Sequence, residues 1–341
     1  MSMRLSWRTG WYLRLLLVAA IAAGVLIAGA FAWYVASPHT PPSLPLQFNL
    51  KAGTTLRGAA QEMRRAGALR HPEVFVLMGR LLRTASRIKA GNYEITEPVM
   101  PYRLLQKIVD GDVTQSSIRF VEGWTFRQMR EVLNKHPDLA HATRDLADEE
   151  ILQRLGIQES SPEGWFFPDT YHFASGSSDL RVLRRAHHLM RSHLDIRWPG
   201  RAADLPLATP YEALILASIV EKETGKEDDR PLIAAVLLNR LRKGMLLQAD
   251  PTVIYGLGAG FDGNLRKRDL LADSPYNTYT RAGLPPTPIA MPGLAALTAT
   301  LNPPASDALY FVSRGDGTSH FSRTLGEHER AVTKFQRSGK R

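Results

Sequence analysis

Two carboxylates close an uncharged run in the stretch LILASIVEKETG, residues 214–225: Glu221 and Glu223, on either side of Lys222. A carboxylic acid that must donate a proton at neutral pH needs a raised pKa. Apolar surroundings raise it by penalising the charged form. A Glu placed directly after seven apolar or small residues is therefore a candidate for general acid–base chemistry. The same pattern suits the first solvated residue past a buried helix, the commoner fate of a Glu. On a helix Leu214, Ala217, Ser218 and Glu221 share one face, at i, i+3, i+4 and i+7, and small residues there would leave space beside the carboxylate. Glu223 lies about 200° further round. Pattern alone does not choose between the two acids.

The stretch 248–293 is loop-rich and carries QADPTVIYGLGAG and SPYNTYTRAGLPPTPIAMPG. Long loops in compact domains are more often functional than not. Asn and Tyr offer hydrogen bonds and ring faces, a combination suited to a sugar polymer. Gln248, Asp250, Tyr255, Tyr276, Asn277 and Tyr279 are the candidates for lining a substrate groove. Asp250 reads either as the second carboxylate of a hydrolase or, before Pro251, as a turn former. GLGAG follows a strand-like run, but FDGN comes next where a dinucleotide-binding turn would start a helix. In GWFFPDTYHF, residues 164–173, Trp165 and Tyr171 read as a core corner or as rings that stack on sugar. His187, His188 and His193 lack metal-ligand spacing and read as surface or interhelix residues. No metal and no cofactor is expected. The chain has no Cys, which excludes thiol nucleophiles, Cys-ligated zinc and disulfides.

These residues need elements to hold them. YEALILASIVEKETG and DRPLIAAVLLNRLRKG read as two helices, the first buried on nearly all sides and the second with Pro231 in its first turn. DLRVLRRAHHLMRSHL reads as an amphipathic helix. ALYFVSRGDGTSHFS reads as a hairpin turning at Arg-Gly-Asp-Gly, followed by a helix that starts with a Thr324–Glu327 capping box. Nearer the N-terminus a strand–glycine turn–helix layout occurs twice. Gly53, Thr55 and Arg57 in the first copy match Gly123, Thr125 and Arg127 in the second. Leu56, Ala59, Ala60 and Met63 give the first copy its helical spacing. With KAGNYEI as a strand and YRLLQKIVDG as a helix ending at Gly111, residues 47–115 form a small α+β module.

Residues 15–36 are uncharged and long enough, at about 33 Å, to span a bilayer core. Trp11 and Tyr12 stand at one end and Trp33 and Tyr34 at the other, as interfacial aromatics do. Arg4, Arg8 and Arg14 precede the run and orient the N-terminus to the cytoplasm. The length favours an uncleaved anchor over a signal peptide. Four prolines in SPHTPPSLPL, residues 37–46, read as a stiff spacer that lifts the body off the membrane. A net charge of +10 suggests an anionic partner. The basic residues are scattered and no nucleic-acid motif accompanies them, so no nucleic acid is expected.

ASIVEKET, NRL, GMLLQADPTVIYG and YNTYTRAGLPP, in this order, resemble the endolytic murein transglycosylase (YceG-like) family, and the earlier block EGWFFPDTY matches it too. The resemblance covers nearly all of the chain after the anchor, and two positions depart from its pattern, Thr287 and Met291. It implies an α+β protein with five parts: a cytoplasmic tail (1–10), a transmembrane helix (11–36), a Pro-rich linker (37–46), a LysM-like glycan-binding module (47–115) and a mixed α+β catalytic domain (116–341). It implies a periplasmic enzyme on the inner membrane that cleaves the β-1,4 bond between N-acetylmuramic acid and N-acetylglucosamine in nascent peptidoglycan strands. The products would carry 1,6-anhydro ends, and glycan length would be limited. Peptidoglycan synthases in the membrane are the implied partners. The implied catalytic residue is the first Glu of the block, Glu221.

Overall fold

The computed structural model describes residues 5–51, 53–113, 115–223 and 226–337. The chain divides into two units, residues 1–116 with 174–176, and residues 117–173 with 177–341.

The first unit begins with one unbroken helix, α1 (Leu5–Ala36). Its segment Arg14–Ala36 is long and apolar enough to cross a membrane. Next come β1 (Leu46–Leu50), α2 (Leu56–Ala66), α3 (Pro72–Leu81), β2 (Gly91–Ile95) and α4 (Pro101–Asp110). β1 and β2 pair antiparallel with Phe48 opposite Tyr93, and the two rings stack. α2 buries Leu56, Ala59, Ala60 and Met63, one face at helical spacing, against that ribbon. Thr55 starts it by accepting a bond from the Gly58 N–H at 3.2 Å, and Gly67 ends it in the left-handed region.

The Pro-rich segment departs from the expected spacer. His39 forms an antiparallel bridge with Val99, each N–H donating to the other's carbonyl at 2.9 and 3.1 Å. Pro41 is buried. Phe31 and Val35 of α1 pack on the same core. Prolines stiffen the segment, but stiffness leaves open what it packs on, and here it folds back onto the module.

β3 (Gln115–Arg119) leads into the second unit and pairs with β5 (Thr170–Ala174). Between them lie α5 (Phe126–Lys135), β4 (Leu139–Ala140) and α6 (Asp148–Leu155). β4 pairs in parallel with β6 (Ser177–Ser178). Then follow α7 (Asp179–Arg197), α8 (Pro210–Glu223), α9 (Arg230–Arg242), α10 (Asp250–Leu257), α11 (Lys267–Leu271), α12 (Leu294–Leu301), the antiparallel hairpin β7 (Tyr310–Ser313) and β8 (Ser319–Ser322), and α13 (Leu325–Val332). Thr324 and Glu327 form the capping box of α13. α8 is buried from Ala213 to Val220, packed among α9, α10 and α12.

Trp165 and Tyr171 are only 3% exposed, and Trp165 stacks on Tyr211. They are the core corner, and no sugar reaches their faces. His187 is buried beside Trp165, and burial lowers its pKa to about 4. Among the described residues no group of His, Asp and Glu could hold a metal ion. The strand-like TVIYGL run is helical, as α10. Pro251, in its first turn, presets the helical φ and needs no N–H partner.

Candidate active site

The last turn of α8 presents two different faces. On one, Ser218 donates its hydroxyl to the Ile215 carbonyl at 2.7 Å and accepts the Ile289 N–H at 3.0 Å. One turn on, Glu221 Oε2 accepts the Gly293 N–H at 3.0 Å. The same loop is tied to the Glu122–Gly123 turn: Gly123 N–H donates to the Met291 carbonyl at 2.9 Å, and Met291 N–H to that of Trp124 at 2.7 Å. Lys222 Nζ reaches the Gly123 carbonyl at 3.3 Å. A Cβ added at Gly293 would overlap the Glu122 carboxylate, so Glu122 and Glu221 both stand against that glycine. Burial raises the pKa of Glu221, the Gly293 bond opposes that, and the charge of Glu122 adds to it. Residues 289–293 fill the space expected beside the small residues of this face.

The other face opens on a cleft of about 430 Å³ lined by Glu223, Arg240, Gln248, Asp250 and Tyr279, closed by residues 311–313 of β7 and by His328 of α13. Burial first, and the negative charge of Asp250 second, push the Glu223 carboxyl up to about 7, against the pull of Arg240. Among the described residues, no hydrogen bond occupies the Glu223 carboxylate. Arg240, on α9 and 7% exposed, donates Nε–H to the Leu309 carbonyl at 2.7 Å and Nη1–H to the Leu247 carbonyl at 2.9 Å and Gln248 Oε1 at 3.2 Å. Gln248 has φ 51°, a left-handed conformation uncommon outside glycine. It is held there by Arg240 and by donating its N–H to the Thr278 carbonyl at 3.0 Å. Such local strain persists where surroundings over-determine it, and it clusters at functional sites. Tyr279 Oη–H donates to Asp250 Oδ1 and its own pKa is raised by burial and by that carboxylate.

Three of the six expected groove residues, Gln248, Asp250 and Tyr279, thus share one cleft, with Glu223 in place of Glu221. The other three stand elsewhere. Asn277 is 1% exposed and structural: Nδ2 donates to the carbonyls of Leu270 and Ala272 at 3.1 and 2.6 Å, and Oδ1 accepts the Tyr279 N–H at 2.8 Å. It folds the loop that presents Tyr279. Tyr255 and Tyr276 meet edge to face at 4.9 Å between ring centroids. Tyr276 Oη lies 2.9 Å from Thr287 Oγ1, and Tyr255 Oη–H donates to Glu163 Oε2 at 3.1 Å.

Glu163, 4% exposed, is a third raised carboxyl, at about 7, chiefly through burial. Its Oε1 accepts the Phe126 N–H at 2.9 Å, so both oxygens are engaged and the group is closed to substrate. Sequence reasoning passed over Glu163 and Arg240. Each left a signal: an acid directly before the aromatic block GWFFPDTY, and an arginine two residues after the apolar run of α9.

The model of the YceG-like family matches residues 48–334. The chain belongs to the YceG-like family. An endolytic murein transglycosylase of Bacillus subtilis is 28% identical over 307 residues, 85% of this chain and 84% of that relative. One from Streptococcus pneumoniae strain R6 is 26% identical over 320 residues, 84% of this chain but 57% of that longer relative. The crystal structure of a YceG-like protein from Listeria monocytogenes superposes with a TM-score of 0.53 at 28% identity, covering 84% of this chain and 98% of that one. The YceG-like match takes in the βααβ module and the cleft together.

Proposed function

We propose that this YceG-like chain is a membrane-anchored endolytic murein transglycosylase in which Glu223 is the acid–base group. The observation that carries this reading is Glu223 on the wall of the 430 Å³ cleft, its carboxyl raised to about 7, beside Gln248, Asp250 and Tyr279. The names of the bacillary and streptococcal relatives supply the reaction class.

A lytic transglycosylase needs one such group. Protonated Glu223 gives its proton to the glycosidic oxygen as the C1–O4 bond of the muramic acid breaks. The same carboxylate then takes the proton of the C6 hydroxyl as O6 bonds to C1, leaving a 1,6-anhydro end and no added water. A pKa near 7 suits both half-reactions. Arg240 keeps that pKa from climbing further and fixes Gln248 at the rim. Tyr279 holds one oxygen of Asp250, so Asp250 orients substrate. A second reading, a muramidase hydrolase with Glu223 as acid and Asp250 as base, is favoured by their shared cleft. Digestion of sacculi in ¹⁸O-water distinguishes the two. Anhydro ends without label support the transglycosylase. Labelled reducing ends, lost in Asp250→Asn, support the hydrolase. Glu223→Gln silences both, whereas full activity of that variant would remove Glu223 from the mechanism.

In this reading α1 crosses the inner membrane with the arginine-flanked N-terminus in the cytoplasm and both units in the periplasm. The βααβ module acts as a LysM-like glycan holder, and membrane-bound synthases deliver nascent strands. The net charge of +10 complements the stem-peptide carboxylates of that polymer. Protease added to spheroplasts should digest everything beyond α1, and a protected body would reverse the orientation.

A further inference from the structure

A second cavity opens at the outer end of α1, in the first unit, and the proposed reaction makes no use of it. Its volume is about 200 Å³, and Trp33, Tyr34, His39, Arg70, His71 and Pro101 line it. Tyr34 Oη–H donates to the His71 carbonyl at 3.3 Å, and its ring meets the His71 ring edge-on. His39 is fixed by Nε2, 3.2 Å from the Gly67 carbonyl, while its Nδ1 is buried without a partner among the described residues. Arg70 likewise has no hydrogen-bond or ion-pair partner among the described residues.

Two helix starts adjoin the same cavity, through His71 and Pro101. α3 begins just after His71 and α4 begins at Pro101, and neither has a side-chain cap. Both helices begin with a proline, which has no N–H, and their dipoles favour negative charge at these starts; in the first turn of α3 Glu73 already supplies one. Trp33 is 73% exposed at the end of the apolar segment, the level at which interfacial aromatics meet lipid phosphates. Arg70, two histidines and two uncapped helix starts at that depth match a tetrahedral anion carried on an apolar tail.

We propose that this cavity holds the phosphate of a membrane lipid head group, with Arg70 as its main cation. The proposal rests on reading α1 as a membrane anchor, and the test separates the two. The full chain in neutral detergent is titrated with fluorescent phosphatidylglycerol, with a phosphate-free monoacylglycerol and with inorganic phosphate as competitor. Phosphatidylglycerol should bind, monoacylglycerol should not, and millimolar phosphate should leave the lipid in place. Arg70→Gln should weaken lipid binding roughly fivefold, the effect of one cation near a lipid surface, while Arg57→Gln on α2 leaves it unchanged. Equal binding by Arg70→Gln, or displacement by millimolar phosphate, would overturn the lipid site. Carbonate washing of membranes tests the anchor independently. Release of the full chain would remove the anchor and the proposal together. Retention with unaltered lipid binding by Arg70→Gln would remove the proposal alone.

Discussion

Glu221 and Glu223 are two residues apart on one helix end, and burial raises the pKa of both, yet their surroundings differ in kind. Around Glu221 stand residues 289–293 and the Glu122–Gly123 turn, and the Gly293 N–H occupies one oxygen of its carboxylate, Oε2. Around Glu223 the space is a cleft, and its close neighbours are charges, Asp250 and Arg240. Glu163 extends the contrast, since its carboxyl is raised to about 7 with both oxygens engaged inside the core. A raised pKa therefore does not identify a catalytic acid by itself. In the proposed reading the distinguishing feature is an unoccupied carboxylate facing room for a sugar.

The largest effect that would break this contrast lies at Glu223. Glu223→Gln should lose roughly 10²–10⁴-fold in kcat on sacculi with an unchanged circular dichroism spectrum, because Gln keeps the shape but moves no proton. In the wild type, kcat/KM should fall about tenfold per pH unit above about 7, as the acid form is depleted. If Glu221→Gln instead caused the large loss, the assignment of the two faces would be reversed.

The next effect is on stability, at Glu163. Its carboxyl titrates near 4.5 when unfolded and at about 7 when folded, so between those values the folded chain holds the proton more tightly. Stability from this group is fully present below pH 4.5 and declines as pH rises to about 7, by as much as ~3 kcal/mol. Thermal melts of wild type and Glu163→Gln across that range should diverge with this slope. Parallel curves would show that Glu163 exchanges its proton with solvent as an exposed acid does.

Glu221→Ala should cost about 1–3 kcal/mol, because it leaves the Gly293 N–H without an acceptor in a half-buried place. Its kcat should fall by less than about tenfold. Glu221→Gln keeps an acceptor oxygen and should recover most of the lost stability in urea titrations. Smallest of all, Gly293→Ala should cost less than about 1 kcal/mol. The backbone there has an ordinary φ of −80°, and the exposed Glu122 side chain can swing away from a new Cβ. A larger loss would mean that Glu122 is itself part of the clamp.

Much of the framework was legible in the residues. Helical spacing and capping chemistry are local, so Leu56–Ala59–Ala60–Met63, the Thr55 and Thr125 starts, Pro231 in the first turn of α9 and the Thr324–Glu327 box all appear where the pattern puts them. The unbroken apolar segment of α1 likewise follows from composition alone. The α10 run was misread because Val, Ile and Tyr suit strands, while Pro251 and burial of Thr252 and Val253 settle it as helix.

What the sequence by itself determined is that a carboxylate ends the buried helix α8, with Gln, Asp and Tyr in a loop ready to line a groove. Only the tertiary structure decided which carboxylate that groove meets. Helical geometry sets Glu221 and Glu223 about 200° apart, and either side would serve until something packs there. Residues 289–293, some seventy positions later in the chain, pack against the Glu221 side, and Arg240 with the Gln248–Asp250 turn frames a cleft on the Glu223 side. The same non-local reason moved Asn277 from groove to scaffold. A buried side-chain amide must satisfy its donors and acceptor, and the carbonyls and N–H that do so are brought to it by the fold of its own loop.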